Sequence, residues 1–407
     1  KKTGNYYGDI ECVDNALKKL PPSGYELETA LIKSTKLSSL ISTGNCGEAV
    51  NLIDNDILPI LETHLSNPRL DKTIPLGLIH NTRSDVYHYL ARALALQGND
   101  RSFEVLTKLF DLIDKRKITD EELICKIKLT LALANTVKGN FITSFEVLQN
   151  IIGQHGVEFQ KLDTINFNRC EIMSTYSLVD IINRFLIKDY EGLQESLFAS
   201  VEVATNDMGD NFTKHLVKTL LGKIFYDRQQ AKHALEIYNE ELNYFAKEKI
   251  ATGALLGWYL TSQATLATEN PKSAIDIADK ALEIAQNPKI NNYFFIIMLK
   301  ISLAKSYMAI ADFESAKIPL ESGILLAKKY NLNDLLSRLY LLYGKYYREL
   351  GTIQSQNQKE YLKGASAMYD RAEELVTKNT KNPYIKHLLE EQRNLLNSYC
   401  TLNGFGI

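Results

Sequence analysis

The sequence predicts an all-α fold built from antiparallel helix hairpins that follow one another along the chain. Three observations carry that expectation. Apolar residues recur with a period near 3.6 through most of the 407 residues. Short turns, several of them Gly-Asn, interrupt the periodic segments. A small residue marks the start of the second helix of each pair at near-constant spacing. Strict two-residue alternation is rare, and the nine prolines are too few for a turn-rich β protein.

Along the chain the plan repeats. "STGNCGEAVNLID" at 42–54 places a Gly-Asn turn before an apolar helix start. "ARALALQGNDRSFEVLTKLFDLIDK" at 91–115 reads as helix, turn, helix, and "LALANTVKGNFITSFEVLQNIIGQ" at 131–154 does so again, with Phe103 and Phe145 separated by 42 residues. Glycine ends a helix by adopting the left-handed backbone conformation, and the polar residues after it can cap the next helix. The second half continues with hairpins beginning near 229, 270 and 311. Aligned by the small residue, the series is Ala49, Ser102, Ser144, Gly192, Ala234, Ala274, Ala316 and Ala365, with gaps of 53, 42, 48, 42, 40, 42 and 49 residues. Small residues let two helices approach where a larger side chain would hold them apart. Ala281, Gly323 and Ala372 supply a second small position two turns later in three of these helices. Irregular links are expected at 64–77, at 155–170 and in the polar stretch 351–364. Pro271 suits a first helical turn, Pro288 a connection, and Pro319 an early turn or a kink.

These features resemble the tetratricopeptide repeat (TPR) family. The resemblance rests on a small residue in mid first helix followed three positions later by an aromatic: Gly222 with Phe225, Ala304 with Tyr307, and Gly344 with Tyr347. Helix-B alanines follow at Ala234, Ala274, Ala281 and Ala316, with Gly323. The repeats run longer than the usual 34 or so residues of that family, and its proline after the second helix has no consistent place here. The match is best over 215–375. The resemblance implies a right-handed superhelical solenoid that binds proteins or peptides along its inner face. The expected organisation is an irregular helical region at 1–90, divergent repeats at 91–214, more regular TPR-like repeats at 215–375 and a C-terminal capping helix at 376–407.

Candidate binding residues come from a recurrence. A lysine follows the small residue in "GKIF" (222–225), "AKSY" (304–307) and "GKYY" (344–347). If the small residue faces the paired helix, Lys223, Lys305 and Lys345 point about 100° away, into the groove or into solvent on an ordinary helix face. Arg338 and Arg348 flank Lys345 at helical spacings. Such a ladder would suit an acidic or phosphorylated segment. Tyr259 and Tyr343 are candidate aromatic anchors, with packing between helices as the alternative.

Chemistry finds less support. "GNCGE" at 44–48 lacks the pattern of a phosphate-binding loop. The seven histidines form no HExxH helix, though His80 and His88 could share a helix face. Cys170 beside Glu171 has no nucleophilic setting, and the adjacent pairs Glu121–Glu122 and Glu373–Glu374 point apart. No catalytic residue, metal or cofactor is expected. Five dispersed cysteines fit reduced thiols in an intracellular protein, cytoplasmic or nuclear. The sequon "NFT" at 211–213 carries little weight. Basic and acidic residues nearly balance, 47 against 49, which argues against nucleic acid or membrane partners. The longest apolar run, 293–299, is too short to span a bilayer. The sequence starts at Lys1, as a fragment of a longer protein would. The leading expectation is a non-enzymatic scaffold or adaptor that binds a protein or extended peptide segment; the alternative is a regulatory ligand-sensing module of a larger ATPase or transcription regulator.

Overall fold

The computed structural model describes residues 6–21, 23–67, 74–116, 120–159, 167–189, 191–192, 211–354 and 356–405. Among them the regular structure is helical throughout. The first part of the chain is cut into short pieces: Tyr6–Leu17 (α1), Glu26–Ser34 (α2), Leu37–Ser42 (α3), Cys46–Leu52 (α4) and Leu58–Ser66 (α5), with a π-helical stretch at Ile53–Ile57. Longer helices follow at Leu76–Gln97 (α6), Arg101–Arg116 (α7), Glu121–Lys138 (α8), Phe141–Phe159 (α9) and Phe167–Ile187 (α10). The second half consists of Asn211–Asp227 (α11), Ala231–Lys247 (α12), Ala251–Ala267 (α13), Pro271–Gln286 (α14), Tyr293–Ala309 (α15), Phe313–Lys329 (α16), Asn333–Ile353 (α17), Gln358–Leu375 (α18) and Pro383–Leu402 (α19). From α5 onward each helix packs on the next, and first helices of successive hairpins also touch, as α13 does α15. The fold is an all-α solenoid of serial hairpins.

Seven of the eight small residues in the aligned series are fully buried: Ala49, Ser102, Ser144, Ala234, Ala274, Ala316 and Ala365. Gly192 is half-buried and borders residues outside the described set. The reason for small side chains is visible at Gly222, where a β-carbon would lie 2.5 Å from Cε1 of Tyr238 on the paired helix. Gly344 meets Tyr369 in the same way. In each hairpin a large ring on the second helix fills the space the first helix leaves, and both rings are fully buried. Pro271 stands in the first turn of α14, whereas Pro319 lies buried in the interior of α16 rather than in an early turn. Two expected links are shorter than anticipated: α9 and α10 both reach into 155–170, and within 351–364 only 354–357 lies between helices.

A second level of organisation joins residues about 200 positions apart. The Ala251 amide donates to the Thr43 carbonyl (2.7 Å), and Glu48 N donates to Lys289 O (3.0 Å). Gln97 Nε2 donates to Ile290 O (3.2 Å), while Asn292 Nδ2 donates to Leu96 O (3.0 Å). The Lys138 ammonium reaches Tyr330 O and Gly98 O and pairs with Asp100. Arg338 Nη2 and Asn382 Nδ2 both donate to Leu186 O, at 2.7 and 3.3 Å. The order is the same on both sides: turns near 43, 97, 138 and 186 meet turns near 251, 290, 330 and 382. The solenoid therefore completes one superhelical turn in about 200 residues, or about five hairpins of the kind expected for such repeats, and the second turn rests on the first.

Physically, this seam satisfies orphaned groups. The last carbonyls of a helix have no partner within it, and the seam supplies donors to those of α3, α6 and α10. Asn292 and Asn382 serve twice, since each caps its own helix through Oδ1 while its Nδ2 crosses to the first turn. One apolar core crosses the seam as well, running from Leu27 and Leu94 to Leu332, Leu339 and Leu396.

Candidate functional site

Sequence spacing places Lys223, Lys305 and Lys345 at one position of successive first helices, and the structure brings them to one surface. Counting 40, 42 and 40 residues from Lys223 leads through Gln263 to Lys305 and Lys345. The position before each is Gly222, Ser262, Ala304 and Gly344, all buried. The rung at Ser262–Gln263 was missed in the sequence because neither residue repeats the small-then-lysine signature, although the 40-residue spacing marks it. Residues of the first helices α11, α13, α15 and α17 thus share one surface, here called the channel, in which Lys305 is exposed yet surrounded by Lys188, Lys223, Arg338 and Lys345. The second helices α12, α14 and α16 carry exposed residues such as Lys232, Lys272 and Ile318.

Further cations enter from the seam. Lys188, at the end of α10, lies 4.1 Å from the ring centroid of Tyr384, and the Arg338 guanidinium lies 5.8 Å from the same ring. Lys223 pairs with Asp227 and lies 4.9 Å from the Tyr226 ring. Lys188 shares Asp227 at 3.5 Å. Arg338 is held by Asp334 at 2.7 Å and by Leu186 O, and Lys345 has Glu349 at 3.6 Å. Lys305 differs. Its polar contact is the side-chain amide oxygen Oε1 of Gln263, to which it donates at 3.5 Å. Gln263 is in turn fixed by donating from Nε2 to Ser302 Oγ (2.7 Å), which meets Ser262 Oγ at 2.6 Å.

The electrostatics follow from this crowding. Burial pushes the Lys223 ammonium down to about 8, against the opposing pull of Asp227. Lys305 is exposed to solvent on its own surface, yet the channel walls surround it. Desolvation by those walls, then the like charges of Arg338, Lys345, Lys188 and Lys223, push it down to about 8. Burial opposes the charge on Arg338, and Asp334 more than offsets it, leaving the guanidinium above its ordinary value. Burial raises the phenol of Tyr259, which faces the same charges.

Two of the expected site residues lie elsewhere. Tyr343 is buried, its hydroxyl donates to Glu321 (3.0 Å), and its ring stacks on Tyr347 at 4.7 Å. Arg348 faces Tyr369 of α18, with Nη1 buried and unpartnered. His80 and His88 share α6 but not a site, since His80 Nε2 meets Arg116 at 3.0 Å and His88 Nε2 meets Thr130 at 3.1 Å. Among the described residues no group of three histidine, cysteine or acidic side chains could hold a metal ion. Cys46, Cys125 and Cys400 are buried free thiols, Cys12 is exposed, and burial raises Cys46 to about 12 and Cys125 to about 11. The Cys170–Glu171 side chains and those of the 211–213 sequon lie outside the described residues. No described helix is long and apolar enough to cross a membrane.

No protein-family model matches this sequence, and no curated protein does. Solved structures do match. A Rap protein complexed with competence and sporulation factor aligns over 91% of this chain and 99% of its own, at 12% identity and a TM-score of 0.54. A signal transduction ATPase (STAND) with a tetratricopeptide repeat sensor, from Pyrococcus horikoshii, aligns over 94% of this chain and 55% of its own, at 14% identity and a TM-score of 0.47. The apo form of RapI aligns over 88% and 99%, at 13% identity and a TM-score of 0.38. The fold is the TPR-like helical solenoid.

Proposed function

We propose that this chain is a non-enzymatic interaction module, a scaffold or adaptor, that binds a segment of a partner protein along the inner face of the solenoid. The observation that carries this reading is the channel itself. Side chains from four successive first helices and from the 186/382 end of the seam open onto one surface, where Tyr226, Tyr259 and Tyr384 offer rings and Lys223, Lys305, Arg338 and Lys345 offer donors. A lining of this kind spreads recognition over several repeats, as an extended segment requires. Among the described residues it contains no arrangement of nucleophile, base and oxyanion donors that a catalytic reading would need. The Rap protein that shares the fold was solved in complex with competence and sporulation factor, which agrees with a binding role for a chain of this fold.

The test is an unbiased peptide-display selection against the full chain carrying a photoreactive phenylalanine analogue either at Tyr259, in the channel, or at Ile318, on the exposed face of α16. Selected peptides are expected to crosslink at 259 and not at 318. Crosslinking confined to 318 would remove the channel from consideration.

A further inference from the structure

Within that channel, among the described residues, cations outnumber carboxylates. Five cations meet there: Lys188, Lys223, Lys305, Arg338 and Lys345. Three carboxylates answer them among the described residues, with Asp227 serving Lys188 and Lys223, Asp334 serving Arg338 and Glu349 serving Lys345. Lys305 is the central cation and has no carboxylate partner among the described residues; what approaches it is the carbonyl of Gln263, held in place by Ser302. A surface lysine ordinarily turns away from like charges into water. Here the ammonium is oriented from behind by a buried amide, left open in front, and flanked by four further cations. That is the arrangement of an anion subsite.

Resting on the channel reading, we propose that the bound segment is acidic and that one of its aspartate or glutamate carboxylates anchors on Lys305, between Lys223, Arg338 and Lys345. The flanking rings of Tyr226, Tyr259 and Tyr384 suit a peptide better than a bare anion. The near-neutral charge of the whole chain makes this a local preference and leaves a polyanionic nucleic acid without the broad basic surface it needs. Lys305 charged is the binding form. The groups facing it are Lys188 from α10, Lys223 and Asp227 from α11, Tyr259 and Gln263 from α13, Arg338 and Lys345 from α17, and Tyr384 from α19. Lys305 and Lys223, both pushed down to about 8, lose charge as pH rises from 7 to 9, so affinity falls as pH passes about 8.

The experiment is fluorescence anisotropy with a labelled ten-residue glutamate peptide, the matching glutamine peptide and a matching phosphoserine peptide. Proteins are the full chain as wild type, Lys305→Gln, Lys305→Arg and, as an outer-face control, Lys317→Gln. The account expects the glutamate peptide to bind at least tenfold tighter than the glutamine peptide. Lys305→Gln should lose about tenfold, Lys305→Arg should retain binding and keep it above pH 8 better than wild type, and Lys317→Gln should stay within about twofold. Equal binding of glutamate and glutamine peptides overturns the proposal. So does a glutamate affinity that Lys305→Gln leaves intact while the variant melts like wild type. Binding of the phosphoserine peptide without the glutamate peptide overturns the carboxylate anchor. Failure here is separable from failure of the channel itself: display peptides that crosslink at 259 but show no acidic enrichment would leave the channel standing without this anchor.

Discussion

The two superhelical turns solve the same local problem with different residues. Every hairpin must reverse direction, and a residue with positive φ does so at most turns. In the first turn that residue is Gly44, Gly98 or Gly139, at φ of 84°, 75° and 86°. In the second it is Gln229, Lys249, Glu269, Asn291, Ala311 or Asn331, at φ between 45° and 62°. Left-handed backbone costs a non-glycine residue about 1–2 kcal/mol, and the second turn tolerates that. What the first turn cannot tolerate is a side chain, because its turns carry the seam. A β-carbon at Gly139 would lie 2.6 Å from the β-carbon of Asp334, and one at Gly98 would lie 3.3 Å from Leu332. Glycine is required at these first-layer turns because the second layer lies against the backbone itself, not merely because a helix ends there. The fourth turn of the seam shows the other solution. Lys188 takes φ 58° there with its side chain directed over Tyr384, and Arg338 and Asn382 grasp the Leu186 carbonyl.

The sharpest way to break this contrast is at the bridging asparagines. Asn382→Asp keeps the capping oxygen but loses the donor to Leu186 O and sets a carboxylate beside Asp334, 2.8 Å from the present amide nitrogen. It should cost about 4 kcal/mol in urea unfolding, as buried unpaired charges do. The matching change Asn270→Asp, at an exposed cap away from the seam, should alter stability by no more than about 0.5 kcal/mol, because Asn and Asp cap comparably. Next in size, Gly139→Ala should cost about 3 kcal/mol by adding strain and overlap, whereas Ala311→Gly in the second turn should change stability by less than about 1 kcal/mol. Equal costs at 139 and 311 would show that the seam places no demand on its glycines.

The smallest expected effect separates the channel from the rest of the second turn. Lys223 and Lys305 have folded pKa values near 8, below their unfolded values. Between there and about 10.4 these two lysines hold more protons unfolded than folded, so their contribution to stability rises with pH in that window. The buried thiols of Cys46 and Cys125 and the buried phenol of Tyr259, all raised in the folded chain, oppose it, so the comparison is between proteins. In urea melts at pH 7.5 and 9.5, Lys305→Gln should gain less stability than wild type over that interval, or lose more, and an identical change in both would mean that Lys305 feels no crowding.

Much of the hairpin plan was legible because it depends on local rules. Ala234, Ala274 and Ala316 are buried for the reason their spacing predicts, and Lys223, Lys305 and Lys345 fall on one inner surface because helical geometry repeats. Gln263 was hidden by its chemistry, since an amide does not extend a lysine pattern even when it occupies the same rung. Tyr343 and Lys345 are two residues apart, yet only one faces the channel, and no composition rule separates an anchoring ring from a packed one. The seam was hidden more deeply. It depends on how far the solenoid rotates per hairpin, and that angle is set by many small packing choices. Only its consequences, such as Gly-Asn turns confined to the first half, were on view.

The closure of the second turn on the first underlies both the glycine contrast and the meeting of Lys188 with Arg338 in the channel. Residue-resolved hydrogen exchange tests it most directly. First-turn amides of a helix have no partner within it and exchange fast. Ala251 and Glu48 are such amides, and their acceptors, Thr43 O and Lys289 O, lie across the seam. Both should be protected well beyond Lys232, an exposed first-turn amide of α12 away from the seam. Exchange at Ala251 and Glu48 as fast as at Lys232 would mean that the two turns do not touch.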